Sequence, residues 1–188
     1  MTRIARLRIT LEDITPPIWR CLEVPEELTM AQLSDVICAA LGWSNTHLHE
    51  FAAGKRRIVM ADPDGDEPAA LGHEDETGLQ LASLLASGAR KLTYLYDFGD
   101  NWRHRLEVEE RLSADPVQRY PRCTAGERAA PPEDCGGVWG YEHLLEVRAD
   151  PACAEYVELR EWCPYFDAEE FDLAAADEAV RTPPGYWE

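Results

Sequence analysis

The sequence is poor in the features that mark several large protein classes. Its longest apolar runs fall far short of the about 20 residues that a membrane-spanning helix needs, and its first residues lack the apolar core of a secretory signal. Its six cysteines contain no C-x-x-C pair, so we do not expect a disulfide framework. The fingerprints of P-loop, Rossmann, G-x-S-x-G and H-E-x-x-H proteins are missing too. We therefore expect a cytoplasmic protein with no membrane partner and no familiar hydrolase or nucleotide site.

Basic side chains are scarce as well. Eighteen Lys and Arg residues stand against 36 Asp and Glu residues, which gives a formal net charge of −18 over 188 residues. A surface this negative repels phosphate groups, so the composition disfavours binding to DNA, RNA and anionic membranes. It favours basic partners instead, such as a basic segment of another protein.

Hydrophobic patterns predict a single α+β domain with a mostly antiparallel sheet. Residues 6–11 and 18–24 read as two paired strands, and a capping box opens a helix over 30–41. This β-β-α start belongs to a sheet-rich part over 1–112. The helix is expected to pack on one face of the sheet.

Two more hairpins are predicted in the same part. One pairs segments 47–51 and 57–60, and the other spans 92–109 with a turn at 97–101. Alternation in the second hairpin places His104 on the buried face. The residues expected in the core are Leu33, Ile37, Leu41, Tyr94, Tyr96, Trp102, Leu106 and Val108.

An acidic loop and an irregular segment separate these elements. Residues 61–77 carry seven acids and no Lys or Arg. Three aspartates there match the first ligand positions of an EF-hand loop (Asp62, Asp64 and Asp66), but the required glycine and glutamate are replaced, which favours a solvated loop over a calcium site. A short helix is expected near 79–85. Residues 113–140 read as an irregular Pro/Gly loop.

The last part, 141–188, is predicted to be helical and to close the structure. One helix covers 141–148, and two more are expected to begin at caps formed by Asp150 and Asp167.

Three histidines are candidates for chemistry. His104 is either a core histidine hydrogen-bonded to a neighbour, or a metal ligand or general base. His47 and His49 lie two residues apart, a spacing that would place both rings on one face of a strand and allow them to chelate a metal. The alternative is that one or both are exposed on the surface.

Two thiols bracket the irregular loop. Cys123 and Cys135 are separated by eleven residues, which is no standard zinc-finger spacing. Two thiolates holding a loop without ladder hydrogen bonds would suit a structural zinc, whereas two sheltered free thiols would simply pack the loop.

Two long motifs give the sequence a family resemblance. The run from Tyr94 to His104 reads Y-x-Y-D-F-G-D-x-W-x-H, and the run from Pro131 to Tyr141 reads P-P-E-D-C-G-G-x-x-G-Y. With the opening segments, they resemble the plasmid pRiA ORF-three-like family, also described as passenger, resolvase-like proteins of an insertion element. The resemblance covers nearly the whole chain and implies an α+β domain associated with mobile elements, although no resolvase-type serine motif is present. Members of that family often carry a further cysteine where this chain has Ala130.

We hypothesise a binding or accessory module that takes a small ligand or a basic protein segment. The alternatives are a metal-dependent hydrolase, in which Asp97, Asp100 or Glu133 would act as base or ligand, and a DNA-associated transposon accessory protein. The pocket candidates are Trp19, Arg20, Trp43, Tyr96, Asp97, Asp100, Trp102, His104, Glu133, Asp134 and Tyr141.

A shared site is also expected where the irregular loop folds over the end of the second hairpin. The ligands for a zinc ion there would be His49, His104, Cys123 and Cys135, with His47, Asp97 and Glu133 as substitutes. The spacing of the thiols and the alanine at 130 count against zinc, so a hydrogen-bonded cluster is favoured over a metal site.

Overall fold

An eight-stranded sheet is the framework of the chain, which we describe from a computed structural model over residues 2–60, 68 and 72–183. The strands are β1 (Arg3–Leu11), β2 (Ile18–Pro25), β3 (His49–Ala53), β4 (Arg56–Val59), β5 (Glu74–Asp75), β6 (Lys91–Tyr96), β7 (Trp102–Ser113) and β8 (Arg122–Glu127). Their order in the sheet is β5-β4-β3-β6-β7-β1-β2-β8, and every pair is antiparallel except β4 with β5. The predicted α+β fold with a mostly antiparallel sheet is confirmed.

Five helices accompany the sheet within the described residues. They are α1 (Met30–Leu41), α2 (Leu81–Ala86), α3 (Gly137–Ala149), α4 (Tyr156–Trp162) and α5 (Leu173–Ala179). The capping box of α1 is present, because Thr29 accepts from the backbone of Gln32 while the Gln32 side chain accepts from the backbone of Thr29. Gly42 ends α1 in the left-handed conformation with a φ of 78°.

The core lies between α1 and the inward face of the sheet. Leu33, Ile37 and Leu41 of α1 are buried there, as are inward residues of β6 and β7. Val108 is only partly buried and packs against this cluster. Helix α5 contacts β8 and α1, so it closes the sheet edge at β8.

Strand β8 corrects the expectation of an irregular segment over 113–140. Residues of β8 pair antiparallel with β2, for example Cys123 with Leu22. The flanking Pro and Gly residues favoured the interpretation as a loop. The partner of the strand is also remote in sequence, and a local pattern does not reveal such a pairing. The two-residue β5 was not predicted at all.

Three helix starts also differ from the expectation. Helix α3 begins at Gly137 rather than at 141. Asp172, whose side chain accepts from the backbone of Ala175, is the N-cap of α5, while Asp167 caps only a local turn at Glu169. Asp150 likewise caps a turn, and α4 starts several residues later.

The three aspartates considered for an EF-hand site lie outside the described residues. Among the residues that are described, none of the helices has the length and apolar character needed to cross a membrane.

Candidate functional site

Three loops meet at one end of the sheet, beside the β6–β7 turn. They are residues 42–48 after α1, the turn 97–101, and the segment 131–136 before α3. Their side chains form what we call the His–Asp cluster: His47, Asp97 and Asp134. Each loop contributes one of these residues, so the fold and not the local sequence assembles the cluster.

The imidazole of His47 lies between the two carboxylates. Its Nδ1 is 3.6 Å from Oδ2 of Asp97, and its Nε2 is 3.4 Å from Oδ1 of Asp134. One ligand atom of each residue lies within 4.8 Å of the others, and over residues 2–60, 68 and 72–183 this is the sole group of three or more potential metal ligands. The Asp134 side chain is 73% exposed, so the cluster opens to solvent.

Asp97 is fixed by its own turn. It adopts a φ of 56°, and its backbone N–H donates to the carbonyl of Leu48 at 2.9 Å. Its Oδ1 accepts from the backbone N–H groups of Gly99 and Asp100. These bonds orient the carboxylate and leave Oδ2 directed toward His47.

Glu133 fixes the loop that carries Asp134. Its Oε1 accepts from the Tyr96 hydroxyl at 2.8 Å and from the Ser44 hydroxyl at 3.1 Å, and its Oε2 accepts from the Ser44 backbone at 2.9 Å. Both oxygens are therefore engaged. A nearby bond from Trp43 Nε1 to the carbonyl of Pro131, at 2.8 Å, holds the same loop against the core.

Asp100 adds a further tie between the turn and α3. Its Oδ2 accepts from the backbone of Gly136 at 3.2 Å. Sequence analysis placed Asp100 in a pocket; in the structure its carboxylate is a backbone partner at the start of α3.

The loop carrying His47 is anchored by Asn45, which the sequence analysis did not single out. Asn45 adopts a φ of 54° and donates from Nδ2 to Asp35 at 2.7 Å, and its Oδ1 accepts from the Ser34 hydroxyl at 3.2 Å. Burial raises the pKa of Asp35, and the bond from Asn45 partly offsets this. An Asn soon after a helix C-cap was the available signal, since Asn tolerates the left-handed region.

His49 has a different environment from His47. It is the first residue of β3 and is buried, with Nε2 2.8 Å from the carboxylate of Glu76. His47 precedes the strand, so the expected pair of rings on one strand face does not form. The two-histidine chelate, which the spacing left open beside surface exposure, is therefore not formed.

His104 is a core histidine. It is fully buried, its Nδ1 donates to the carbonyl of Tyr94 at 3.3 Å, and its Nε2 has no partner. Burial lowers its pKa to about 4, so it is neutral at physiological pH. The Tyr94 ring stands between the imidazoles of His104 and His49. Its centroid lies 5.4 Å from that of His104 and 5.6 Å from that of His49.

The thiols do not join these histidines. Cys123 is on β8, which β1 and β2 separate from the strand of His104, a distance of about 14 Å at the ~4.8 Å spacing of strands. Burial raises the pKa of Cys123 to about 11 and that of Cys135 to about 12. The four-donor site of His49, His104, Cys123 and Cys135 is not formed in the described residues, because Cys123 lies on a remote strand and no group of three or more potential ligands includes any of the four.

The aromatic pocket candidates are mostly core residues. Trp43 stacks on Tyr96 with ring centroids 5.2 Å apart and lies 5.8 Å from Trp102, and all three are buried. Tyr141 is buried against Phe166.

Two candidates lie away from this stack. Trp19 is on the opposite sheet face, under the guanidinium of Arg8 and bonded to Glu127. Arg20 lines a separate cleft.

The sequence comparisons agree with the resemblance found in the motifs. The family model described as plasmid pRiA4b ORF-3-like protein matches residues 3–175. The chain belongs to the plasmid pRiA4b ORF-3-like family. A relative described as uncharacterized protein y4hQ, from Sinorhizobium fredii (strain NBRC 101917 / NGR234), is 36% identical over 176 residues, which cover 93% of this chain and 86% of the relative. The crystal structure of a protein of unknown function, MM3350 from Methanosarcina mazei Go1, is similar with a TM-score of 0.83 and 36% identity, over 93% of this chain and 97% of that chain.

Asp97 and Asp134 come from the two long motifs that carry the family resemblance, and His47 comes from the loop after α1. Ala130 lines the separate cleft beside Arg20 and not the cluster.

Proposed function

We propose that this family member is a binding module that holds a divalent cation at the His–Asp cluster. The observation that carries the proposal is the convergence of one imidazole and two carboxylates, from three separate loops, within 4.8 Å. Imidazole nitrogen and carboxylate oxygen are both ligands of first-row divalent metals.

Local charge supports a cation. Besides Asp97 and Asp134, the carboxylates of Asp100 and Glu133 lie in the same loops, in a chain with a net charge of −18. Carboxylates gathered at one place create a negative potential that a divalent ion relieves. Direct contacts of His47 with the two aspartates in metal-free protein are the competing explanation, and metal titration separates the two.

The donor set also indicates which metals to test. Mixed imidazole and carboxylate ligation suits Zn²⁺ and Mn²⁺ better than Mg²⁺, which prefers oxygen ligands and retains water. Ligands of one tetrahedral zinc lie about 3.3 Å apart when metal–ligand bonds are about 2.0 Å. The two short distances involve different ring nitrogens of His47, so a side chain of the cluster must reorient for all three residues to bind one ion through a single nitrogen.

The direct experiment is calorimetric titration of untagged, chelator-treated protein with Zn²⁺, Mn²⁺ and Mg²⁺. We expect one saturable Zn²⁺ or Mn²⁺ site per chain, and at least tenfold weaker binding in Asp97→Asn, Asp134→Asn and His47→Ala. His143→Ala is the matched control, because His143 also faces a carboxylate, Glu155, at 2.8 Å but outside the cluster. Absence of saturable binding, or equal losses in the His47 and His143 variants, would overturn the proposal.

Metal-dependent hydrolysis is the second candidate, and the exposure of Asp134 favours it. Three protein ligands leave coordination positions for water and substrate, as in catalytic zinc sites. Glu133 is a poor choice for the base because both its oxygens accept hydrogen bonds. Turnover of model phosphodiesters or esters that requires the metal and is lost in Asp134→Asn would establish hydrolysis; cation binding without turnover supports a binding module.

The hypothesis of a basic protein partner uses the same carboxylates. A Lys- or Arg-rich peptide would compete with the cation for Asp97 and Asp134. Displacement of such a peptide by Zn²⁺ would indicate that the peptide and the cation bind the same carboxylates of the cluster.

A further inference from the structure

A second site is suggested by a separate cleft, which none of the three residues of the His–Asp cluster lines. It has a volume of about 380 Å³ and opens between the end of α1, the segment at 129–130 and α5. This volume is within the range of small-molecule sites. Methyl groups from all three elements form much of its wall: Ala39, Ala40, Ala130, Ala175, Ala176 and Ala179.

Arg20 provides a buried cation in this cleft. It comes from β2 and is only 2% exposed. Its Nε donates to the carbonyl of Ala40 at 3.0 Å, and its Nη1 donates to the carbonyls of Trp19 and Glu127 at 2.8 and 3.0 Å. Within the part of the chain that the structure describes, Nη2 has no hydrogen-bond partner and the guanidinium has no carboxylate partner.

The carbonyl contacts explain only part of this arrangement. The bond to Ala40 satisfies a carbonyl at the C-terminal end of α1, which is a structural role. Burial lowers the pKa of Arg20 to about 10, so the side chain remains charged near neutral pH. Nη2 is not among the buried polar atoms that lack a partner in the described residues, so it reaches the solvent of the cleft and is open to a carboxylate acceptor.

The guanidinium is also held in a fixed orientation. Its Cζ lies 4.0 Å from the ring centroid of Phe171, which stacks on it. Gly126 makes room for this stack, since a Cβ there would come within 2.7 Å of the Phe171 ring and 2.9 Å of Arg20 Cδ. A guanidinium held by packing loses little entropy when it binds an anion.

The same cleft also carries carboxylates, whose negative charge is opposite to that of the Arg20 guanidinium. Asp167, Glu170 and Asp172 line it, and Phe171, between the last two, contacts Arg20. Asp167 and Asp172 accept backbone bonds from Glu169 and Ala175, respectively. The cleft thus offers a cationic group beside acidic ones, which suits a zwitterion better than a simple anion.

We propose that this cleft binds a small amino carboxylate of the amino-acid class, with its carboxylate on Nη2 of Arg20 and its ammonium group toward Glu170 and Asp172. The alanine-lined wall leaves space for a small apolar side chain. This site does not depend on the proposed cation, so chelator has no effect on it.

The test is calorimetric or ligand-observed NMR titration with the twenty amino acids, in the presence of EDTA. We expect saturable one-to-one binding of at least one small apolar amino acid. The matching amine without a carboxylate, and the matching acid without an ammonium group, should bind at least tenfold more weakly, because each loses one charge-assisted contact.

Variants define the site. Arg20→Gln should weaken binding at least tenfold, and Ala130→Leu should do the same by filling the cleft without removing Arg20. Glu170→Gln, at an exposed position, should weaken it about threefold to tenfold, whereas Glu161→Gln on α4 is the matched control and should have no effect. Absence of binding at millimolar amino acid by folded protein, or binding that Ala130→Leu and Glu170→Gln leave unchanged, would overturn the proposal.

Discussion

The hydroxyl of Tyr96 donates a 2.8 Å hydrogen bond to Oε1 of Glu133, and this bond joins the end of β6 to the loop that carries Asp134. The two residues are 37 positions apart in the chain. The contact is part-buried, and burial together with the neighbouring carboxylate raises the pKa of Tyr96, so the phenol stays protonated and continues to donate. The position of Asp134 thus depends on a residue that does not belong to the His–Asp cluster.

Tyr96→Phe removes this donor and tests that dependence. Glu133 and the backbone of Thr46 each lose a partner, so we expect a loss of about 1–3 kcal/mol in the free energy of unfolding, measured with urea. Zn²⁺ affinity should also fall. Tyr156→Phe is the control and should change stability by less than about 0.5 kcal/mol, because Tyr156 is only partly buried on α4 and its hydroxyl accepts a solvent-exposed bond from Arg160. Equal effects of the two changes would contradict the assigned position of Tyr96.

Gly137→Ala tests the close approach of α3 to the β6–β7 turn. A Cβ at Gly137 would lie 2.4 Å from the carbonyl oxygen of Asp100, on a backbone with a φ of 70°. Gly54→Ala is a matched control, because Gly54 has a φ of 63° but open space around it. We expect about 1 kcal/mol of destabilisation from backbone strain in Gly54→Ala and a clearly larger loss in Gly137→Ala. Comparable melting temperatures for the two variants would argue against the contact.

The buried His104 predicts a specific pH dependence of stability. Its folded pKa of about 4 is below the ordinary value of 6.5, so the unfolded chain takes up a proton below pH 6.5 that the folded chain refuses until about pH 4. The contribution of neutral His104 to the free energy of unfolding is fully present above pH 6.5. It decreases by about 3 kcal/mol as the pH falls to 4.

The measurement is urea unfolding of the wild type and His104→Phe between pH 7 and 4. Other titrating groups are common to both proteins, so the difference between their unfolding free energies isolates His104. We expect the wild type to lose more unfolding free energy than His104→Phe as the pH falls, so the difference changes in favour of the variant. A constant difference would show that His104 titrates alike in both states.

The sheet could be predicted from sequence where its pairing is local. Strands β1 and β2 alternate and are joined by a short turn, and the β6–β7 hairpin likewise places His104 inward. Strand β8 escaped prediction because its partner, β2, lies about a hundred residues earlier.

The site was harder to predict than the local hairpins, because its residues are also remote from one another in the chain. His47, Asp97 and Asp134 were all considered from the sequence, but they were combined with thiols and with His104 that the strand order keeps apart. Only Leu48 separates His47 from His49, yet only His49 lies on β3. Which loops meet at a sheet end is a tertiary property that no local pattern encodes.

The cysteines supply a negative prediction. Cys123→Ser and Cys135→Ser should leave Zn²⁺ affinity unchanged within about twofold, because neither thiol belongs to the His–Asp cluster. Their raised pKa values also predict slow alkylation by iodoacetamide at pH 7.5, since little thiolate is present. Loss of Zn²⁺ binding in either variant would show that the replaced thiol is a metal ligand and would contradict this prediction.

Nucleic acid binding is predicted to be absent. The net charge of −18 opposes contact with phosphate groups. An electrophoretic mobility shift assay with duplex DNA at low salt should show no complex. A clear shift that disappears steeply with added salt would contradict this expectation.

The most direct test of the account is anomalous diffraction from crystals of the protein grown with Zn²⁺. We expect a single strong peak in the His–Asp cluster, about 2.0–2.2 Å from a ring nitrogen of His47 and from oxygens of Asp97 and Asp134. A cluster without a peak, or a peak bound instead by His49, His104 or a cysteine, would contradict it.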